Sequence, residues 1–260
     1  MRPFLFHIGS MGVPAFFFTI MVGSLVGTFY AAHIAKKDGS DPVVMLDFGI
    51  LAIISSVIGS RLFHVFVENP VYYWENPIRV FYFWQGGFVS IGAFMLSVAS
   101  CLIYLRWRKL PIFKNFDIVT MGVPFAIFFV RAGCFCAGCC YGKPTDFFLH
   151  LIFTNPASTA GHFHPGIPLH ATQVYAMLNA VVMFFVLHAV RRRKRFDGQI
   201  LSTFLMYYGI TRFFIEEPLR GDVDRGVYFN GLISTGQVSM VVFFLAGLFI
   251  WHLQKKKGKQ

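Results

Sequence analysis

Arg61, Arg131 and Arg212 each stand inside, or near the end of, a long apolar run. An arginine at membrane depth costs about 2.5–3.5 kcal/mol on insertion scales, so such residues face a polar interior or snorkel to the interface. Three of them from three separate runs, all toward one leaflet, suggest a convergent anion site. A guanidinium is a planar fork of donors that can hold two phosphate oxygens at once. A phosphate-bearing lipid is therefore the favoured ligand, with snorkelling and internal ion pairing open for the same residues. Glu216 lies one helical turn beyond Arg212 and is placed to orient it; an ordinary i,i+4 ion pair is the plainer reading.

Four polar islands interrupt the apolar pattern, at 59–62, 84–90, 130–145 and 212–222, with smaller pieces at 170–175 and 234–237. Glycines in them allow close approach between helices or to a ligand. The third island holds Cys134, Cys136, Cys139 and Cys140. On a continuous helix the last three share a face and Cys134 is off it. Close packing of small side chains is the reading favoured here. A disulfide, a redox thiol, a lipid carrier and a zinc site helped by His162, His164 or His170 stay open. His7, His33, His64, His188 and His252 occur singly and read as core or interface residues, with His64 close to Arg61. Tyr72, Tyr73, Trp74 and Trp84 read as an aromatic belt.

The elements that must carry these residues follow from composition. Of 260 residues, 56% are hydrophobic, 33 are Phe and only 13% are charged; mean hydropathy is +0.60. Soluble domains run at about 45–50% apolar and 25% charged. A disordered chain, a coiled coil and an ordinary soluble enzyme are excluded, and the two-residue alternation of a membrane barrel is missing. Seven runs approach the roughly 20 apolar residues of a spanning helix, near 12–35, 44–67, 86–106, 117–140, 171–190, 199–216 and 233–253. The longest gap, 141–170, leaves no room for a soluble domain, so residues 1–260 read as one transmembrane domain. No small-residue cleavage site follows the first run, which is expected to be retained.

The net charge of +11 comes from 23 Lys and Arg against 12 Asp and Glu. It sits in short clusters between apolar runs rather than on a face, which argues against nucleic acid. Lys36 and Lys37, the group at 106–114, the run at 191–195 and the terminal lysines at 255–259 together hold 15 of the 23 basic residues. All fall on one side of a seven-span order, and that side should be cytoplasmic. The expected fold is thus an all-α polytopic membrane protein of about seven helices, N-terminus outside and C-terminus in the cytoplasm.

At the polar islands the chain resembles the prolipoprotein diacylglyceryl transferase family, over nearly its whole length and in order. The matching pieces are Gly59-x-Arg61-Leu62, Gly86-Gly87 after Trp84-Gln85, Asp117 ahead of Arg131-Ala-Gly, and Tyr-Gly-Lys-Pro-Thr at 141–145. His170-x-x-Gln173-x-Tyr175, Arg212-Phe-Phe-Ile-Glu216 with Arg220-x-Asp222, and Ser-x-Gly-Gln at 234–237 complete it. The resemblance implies transfer of a diacylglyceryl group from phosphatidylglycerol to the lipobox cysteine of a prolipoprotein signal peptide, in the bacterial plasma membrane. It implies catalytic roles for Arg131, Arg212, Glu216 and His170. Substrate contacts fall to Arg61, Gly86, Gly87, Gln173, Tyr175, Arg220 and Gln237. No metal or organic cofactor is implied.

This chain departs from the family pattern at five places. Ile91 replaces a His, Cys134 an Asn, Cys139 a Glu, Phe16 a Tyr and Ala176 a Glu. Loss of the His removes the simplest base for a thiol. A same-fold transferase with another acceptor, or a phospholipid-binding or transport protein without catalysis, are the rival readings. Reporter fusions after Lys37, Lys109 and Arg195 should read cytoplasmic and one near Thr159 external; the reverse pattern overturns the orientation.

Overall fold

The computed structural model describes residues 4–8, 11–82, 87, 89–222, 226–228 and 233–257. Trp84, Gln85 and Gly86 of the second polar island lie outside them. The chain divides into two compact units, 1–31 with 116–260, and 32–115.

Helices dominate. In chain order they are α1 Ala15–Lys37, α2 Pro42–Phe63, α3 Pro70–Glu75, α4 Ser90–Trp107, α5 Ile112–Thr120 and α6 Val123–Ala137. Then follow α7 Thr159–Phe163, α8 Thr172–Arg192, α9 Gln199–Thr211, α10 Glu217–Leu219 and α11 Thr235–Lys257. α2 runs on through a π-turn, His64–Glu68. Its start is marked by Pro42 and by the Asp41 carboxylate, which accepts from the Val43 amide at 2.9 Å. Basic residues close α1, α8 and α11, where a cation complements the exposed carbonyls.

The loops also hold strands that the sequence pattern does not announce. Among the described residues they form three antiparallel pairs: β1 Phe4–Ile8 with β2 Met11–Pro14, β3 His150–Ile152 with β4 Pro168–His170, and β5 Val227–Tyr228 with β6 Ile233–Ser234. Each strand is two to five residues long, too short to show a period.

α1, α2 with its π-turn, α8 and α11 are long and apolar enough to cross a bilayer. α5 and α6 together make a fifth candidate, bent by 43°. The break falls just before Pro124, which has no amide hydrogen for the preceding turn. α4 and α9, at 18 and 13 residues, are shorter than the roughly 20 that cross unaided. Helices therefore stand at all seven expected places, and five of those places reach spanning length.

Small residues let the backbones touch, as in membranes where lipid tails are as apolar as leucine. In the 32–115 unit a Cβ on Gly92 would strike the Gly59 carbonyl and the Phe63 side chain. Ser55 donates to Ser100 at 2.8 Å across the same helix pair. In the other unit Gly27 and Gly122 meet backbone to backbone, and Gly247 of α11 packs on the Ser202 carbonyl of α9. Asp117, fully buried on α5, accepts from the amides of Gly198 and Leu201 at 2.8 and 2.9 Å. It caps the start of α9 from another helix, and Lys194 reaches it at 2.9 Å. Burial alone would lower the Lys194 ammonium, yet Asp197 and Asp117 hold it above its usual value.

The Gly59–Gly92 crossing gives a stability test. Gly92→Leu should overpack it by about 1–3 kcal/mol and lower the melting temperature in detergent. Ile103→Ala, on an exposed side chain, should leave it unchanged. Equal melting temperatures for parent and Gly92→Leu would show that α2 and α4 do not meet there.

Candidate active site

α6 carries Arg131 in its second half, and α9 runs into a π-turn, Arg212–Glu216, before α10. The π-turn decides which side chains meet. Its closing bond runs from the Glu217 amide to the Arg212 carbonyl, five residues back rather than four. The residue facing Arg212 is therefore Glu217, with Arg212 Nε at 3.2 Å from Oε1 and at 4.0 Å from Glu216. Glu216 turns instead to Arg131 and forms a buried ion pair with its Nη2. The simple i,i+4 spacing pairs Glu216 with Arg212; the wider turn hands it to another helix.

Glu217 is the hub that the sequence pattern missed. It accepts from the Ser234 hydroxyl at 2.8 Å, from Arg212 and from Arg220 Nη1 at 3.4 Å. Gly236 gives it room, since a Cβ there would strike the carboxylate. Burial alone would raise the Glu217 carboxyl, but the Ser234 hydroxyl and the two guanidinium groups outweigh it and hold the group below its usual value. Arg220 also binds Asp222 through two nitrogens. Among the described residues, three guanidinium groups thus meet three carboxylates in one cluster. Arg212 is its most exposed arginine, with 21% of the side chain accessible against 8% for Arg131. Arg212 also donates to Tyr208 Oη at 2.8 Å, and its Nη2 has no partner among the described residues. Nε and Nη1 of Arg131 likewise have none there.

Arg220 is positioned by backbone. Gly142 bridges to it, the Lys143 amide donates to the Leu219 carbonyl at 2.9 Å, and the Gly221 amide to the Tyr141 carbonyl at 3.0 Å. Beneath this ladder lie the buried side chains of Tyr141, Phe153, Ala160 and Leu169. The cysteines are arranged otherwise than a continuous helix would have them. α6 stops at Ala137, Gly138 turns left-handed at φ +69, and Cys139 and Cys140 lie beyond the helix. Cys134, Cys139 and Cys140 come together, and Cys136 is not in the group.

The other expected residues divide. His170 sits in β4, its Nδ1 3.5 Å from Tyr175 Oη, and Tyr175 donates to the Leu149 carbonyl at 2.6 Å. No described contact joins His170 to Arg131, Arg212 or Glu216. Gln173 is fully buried; its Nε2 donates to the Cys139 carbonyl at 2.8 Å, and its Oε1 has no partner among the described residues. Gln237 forms a capping box at the head of α11, with Oε1 accepting from the Ser234 amide at 2.9 Å and its own amide donating to Ser234 Oγ at 3.1 Å. Arg61, in the 32–115 unit, donates to the carbonyls of Val80, Arg79, Tyr82 and Gly87 at 2.6–3.4 Å and lies over Tyr73. Gly87 is held at φ +77, and a Cβ there would strike His64 and Arg61. Gly86 is outside the described residues.

Apolar helices of spanning length with arginines and carboxylates gathered at their ends define a polytopic membrane protein with an internal cluster of paired charges. The sequence narrows that class. The family model described as prolipoprotein diacylglyceryl transferase matches residues 3–253, and the chain belongs to that family. It is 28% identical over 257 residues to the phosphatidylglycerol–prolipoprotein diacylglyceryl transferase of Clostridium tetani, covering 98% of both chains. It is 30% identical over 255 residues to the enzyme of that name from Rickettsia bellii, covering 96% of this chain and 94% of that one.

The ion pair can be tested by what its loss leaves behind. Glu216→Gln strands a buried guanidinium and should cost about 3–5 kcal/mol, whereas Arg131→Met with Glu216→Leu should recover most of it. Denaturation in detergent reads both. A double variant no more stable than the single one would show that the pair does not tie α6 to the π-turn.

Proposed function

We propose that this chain transfers a diacylglyceryl group from phosphatidylglycerol to the cysteine thiol of a prolipoprotein lipobox. The thiol sulfur attacks the glyceryl carbon, the carbon–oxygen bond to phosphate breaks, glycerol phosphate leaves, and a thioether forms. The thiol proton passes to a base, for which His170 is the candidate. The observation that carries the reading is the cluster of Arg131, Arg212 and Arg220 with its carboxylates, in a chain that the family matches over residues 3–253.

The chemistry needs a phosphate held still and charge stabilised on the leaving oxygen. Fixed donors in a water-excluded site act most strongly on such charge. Arg131 and Arg212 keep guanidinium nitrogens without partners among the described residues, and these are the proposed phosphate ligands. Glu216 and Glu217 hold the two guanidinium groups in place, and Arg220 extends the cluster toward the headgroup. Gln173, Tyr175 and Gln237 support the site through the backbone contacts they make. Arg61 has its donors occupied by carbonyls, so in this reading it holds the backbone at 79–82 and at Gly87 rather than gripping phosphate.

The same reading takes the whole chain as one transferase domain in the bacterial plasma membrane. It counts seven spans, with α4 and α9 completing the five of full length. The N-terminus lies outside, and the signal peptide enters from the bilayer.

Arg131→Lys and Arg212→Lys test it. Lysine keeps the charge, so insertion and abundance should survive, but it lacks the planar fork. Each variant should lose about 10²–10³ in transfer rate per mole of folded enzyme. If both keep more than about a third of the parent rate, a loss under ~0.7 kcal/mol, these arginines are not the phosphate clamp. If the parent makes no thioether from a lipobox peptide and phosphatidylglycerol, the rival of a binding or transport protein stands.

A further inference from the structure

The helix that carries Arg131 ends in a double left-handed turn. Gly138 adopts φ +69 and Cys140 φ +55, a conformation that a residue with a Cβ rarely takes. The turn brings the sulfurs of Cys134, Cys139 and Cys140 within 4.8 Å of one another. Hydrogen bonds from inside and outside the turn hold it. The Cys139 amide donates to the Cys134 carbonyl at 3.1 Å, and the Ala160 amide to the Gly138 carbonyl at 2.9 Å. Thr172 Oγ1 donates to the Cys140 carbonyl at 2.7 Å, and Gln173 Nε2 to the Cys139 carbonyl at 2.8 Å. The thiols are free, and neither Cys136 nor Cys101 shares the group.

We propose that Cys134, Cys139 and Cys140 bind a thiophilic d10 cation, Zn²⁺ or Cu⁺, as a three-thiolate site. Three sulfurs at about 2.3 Å from one zinc ion lie roughly 3.8–4.0 Å apart. The cluster therefore needs to contract by less than about 1 Å. All three ligands are soft, which selects zinc or cuprous ion over magnesium or calcium. Ligating thiols must lose their protons, so metal uptake releases protons and falls at low pH. Three thiolates carry one net negative charge around Zn²⁺ and two around Cu⁺, beside guanidinium groups that Glu216, Glu217 and Asp222 already pair.

Three protein ligands leave the fourth tetrahedral position open, as in catalytic rather than structural zinc sites. An acceptor thiol taken there would be held as thiolate, its proton released to water. That supplies an activated sulfur in a chain whose Ile91 replaces the family's His. This second step rests on the transfer reading above; the metal site does not.

The test uses the full chain, purified reduced and without oxygen, incubated with Zn²⁺ or with Cu⁺ and dialysed. Elemental mass spectrometry should find about one ion per chain for at least one of the two, and the ion retained says which. Cys136→Ser and Cys101→Ser should keep it, and Cys134→Ser, Cys139→Ser and Cys140→Ser should lose about tenfold or more in occupancy. Should those variants fail to fold, the unmodified chain still answers: bound metal should shield its clustered thiols from maleimide until a chelator is added. No metal from either ion, equal loss in Cys136→Ser, or a disulfide among the three thiols in freshly isolated protein overturns the site. With Co²⁺ in place, a lipobox peptide should shift the visible spectrum and its Cys→Ser counterpart should not; identical responses overturn the open position. A metal-loaded chain that forms no thioether would sink the transfer reading and leave the metal site standing.

Discussion

A guanidinium and a carboxylate, Arg131 and Glu216, are paired out of water, and much of the 116–260 segment follows from the need to keep them together. Either charge alone would be strongly destabilising at that depth, so α6 and the turn after α9 cannot separate without exposing an uncompensated ion. The pair fixes which part of α6 faces α9 and brings Glu217 beside Arg212. It also places the end of α6, with its cysteines, one turn from the arginine cluster. A hydrophobic pair could join the helices as well, but it would leave no donors for an anion.

The π-turn Arg212–Glu216 makes this arrangement possible. In an α-helix Arg212 would take Glu216, and Arg131 would be left without its partner. One extra residue in the turn gives each arginine its own carboxylate. Such turns break the regular bonding ladder and gather at functional sites. Here the disturbance is contained by Pro218, by the Ser234 hydroxyl on Glu217 and by the Asp117 carboxylate, which anchors the far end of α9. The elements that steady the site thus come from three places in the chain, each too short or too distant to announce itself by periodicity.

The long helices were legible because their signal is summed over about 20 residues. Apolar runs and flanking lysines and arginines placed α1, α2, α8 and α11 within a few residues. The Arg131 and Arg212 positions were legible too, since a charge inside an apolar run is conspicuous, whereas Asp117 stood out only through the family resemblance. What the sequence concealed depends on a single backbone turn. Nothing in Arg-Phe-Phe-Ile-Glu-Glu says whether the fifth or the sixth residue faces the first; only the residue before Pro218 hints at irregular backbone. The cysteine grouping failed for the same reason. Helical spacing joined Cys136 to Cys139 and Cys140, whereas the left-handed turn at Gly138 ends the helix and joins them to Cys134. Gln237 pointed to substrate by resemblance, yet its side chain closes a helix cap, a local hydrogen bond that the Ser-x-x-Gln spacing already permits.

Two of the five departures from the family pattern meet in the fold. Cys134 and Cys139 replace an Asn and a Glu in the pattern the chain resembles, and both come together beside Arg131 with Cys140. Replacing a Glu by a neutral thiol removes a negative charge from a neighbourhood that holds Arg131 and Arg220. A buried guanidinium tolerates that poorly, because its solvation by protein must come from somewhere. A thiolate restores the charge at the same place, and three thiols that share a cation can be ionised together where one alone could not. The two substitutions are thus coherent as a pair: each makes physical sense if the other is present and if the sulfurs carry charge. Packing of small neutral side chains accounts for neither the left-handed Cys140 nor the convergence of three sulfurs across the end of a helix.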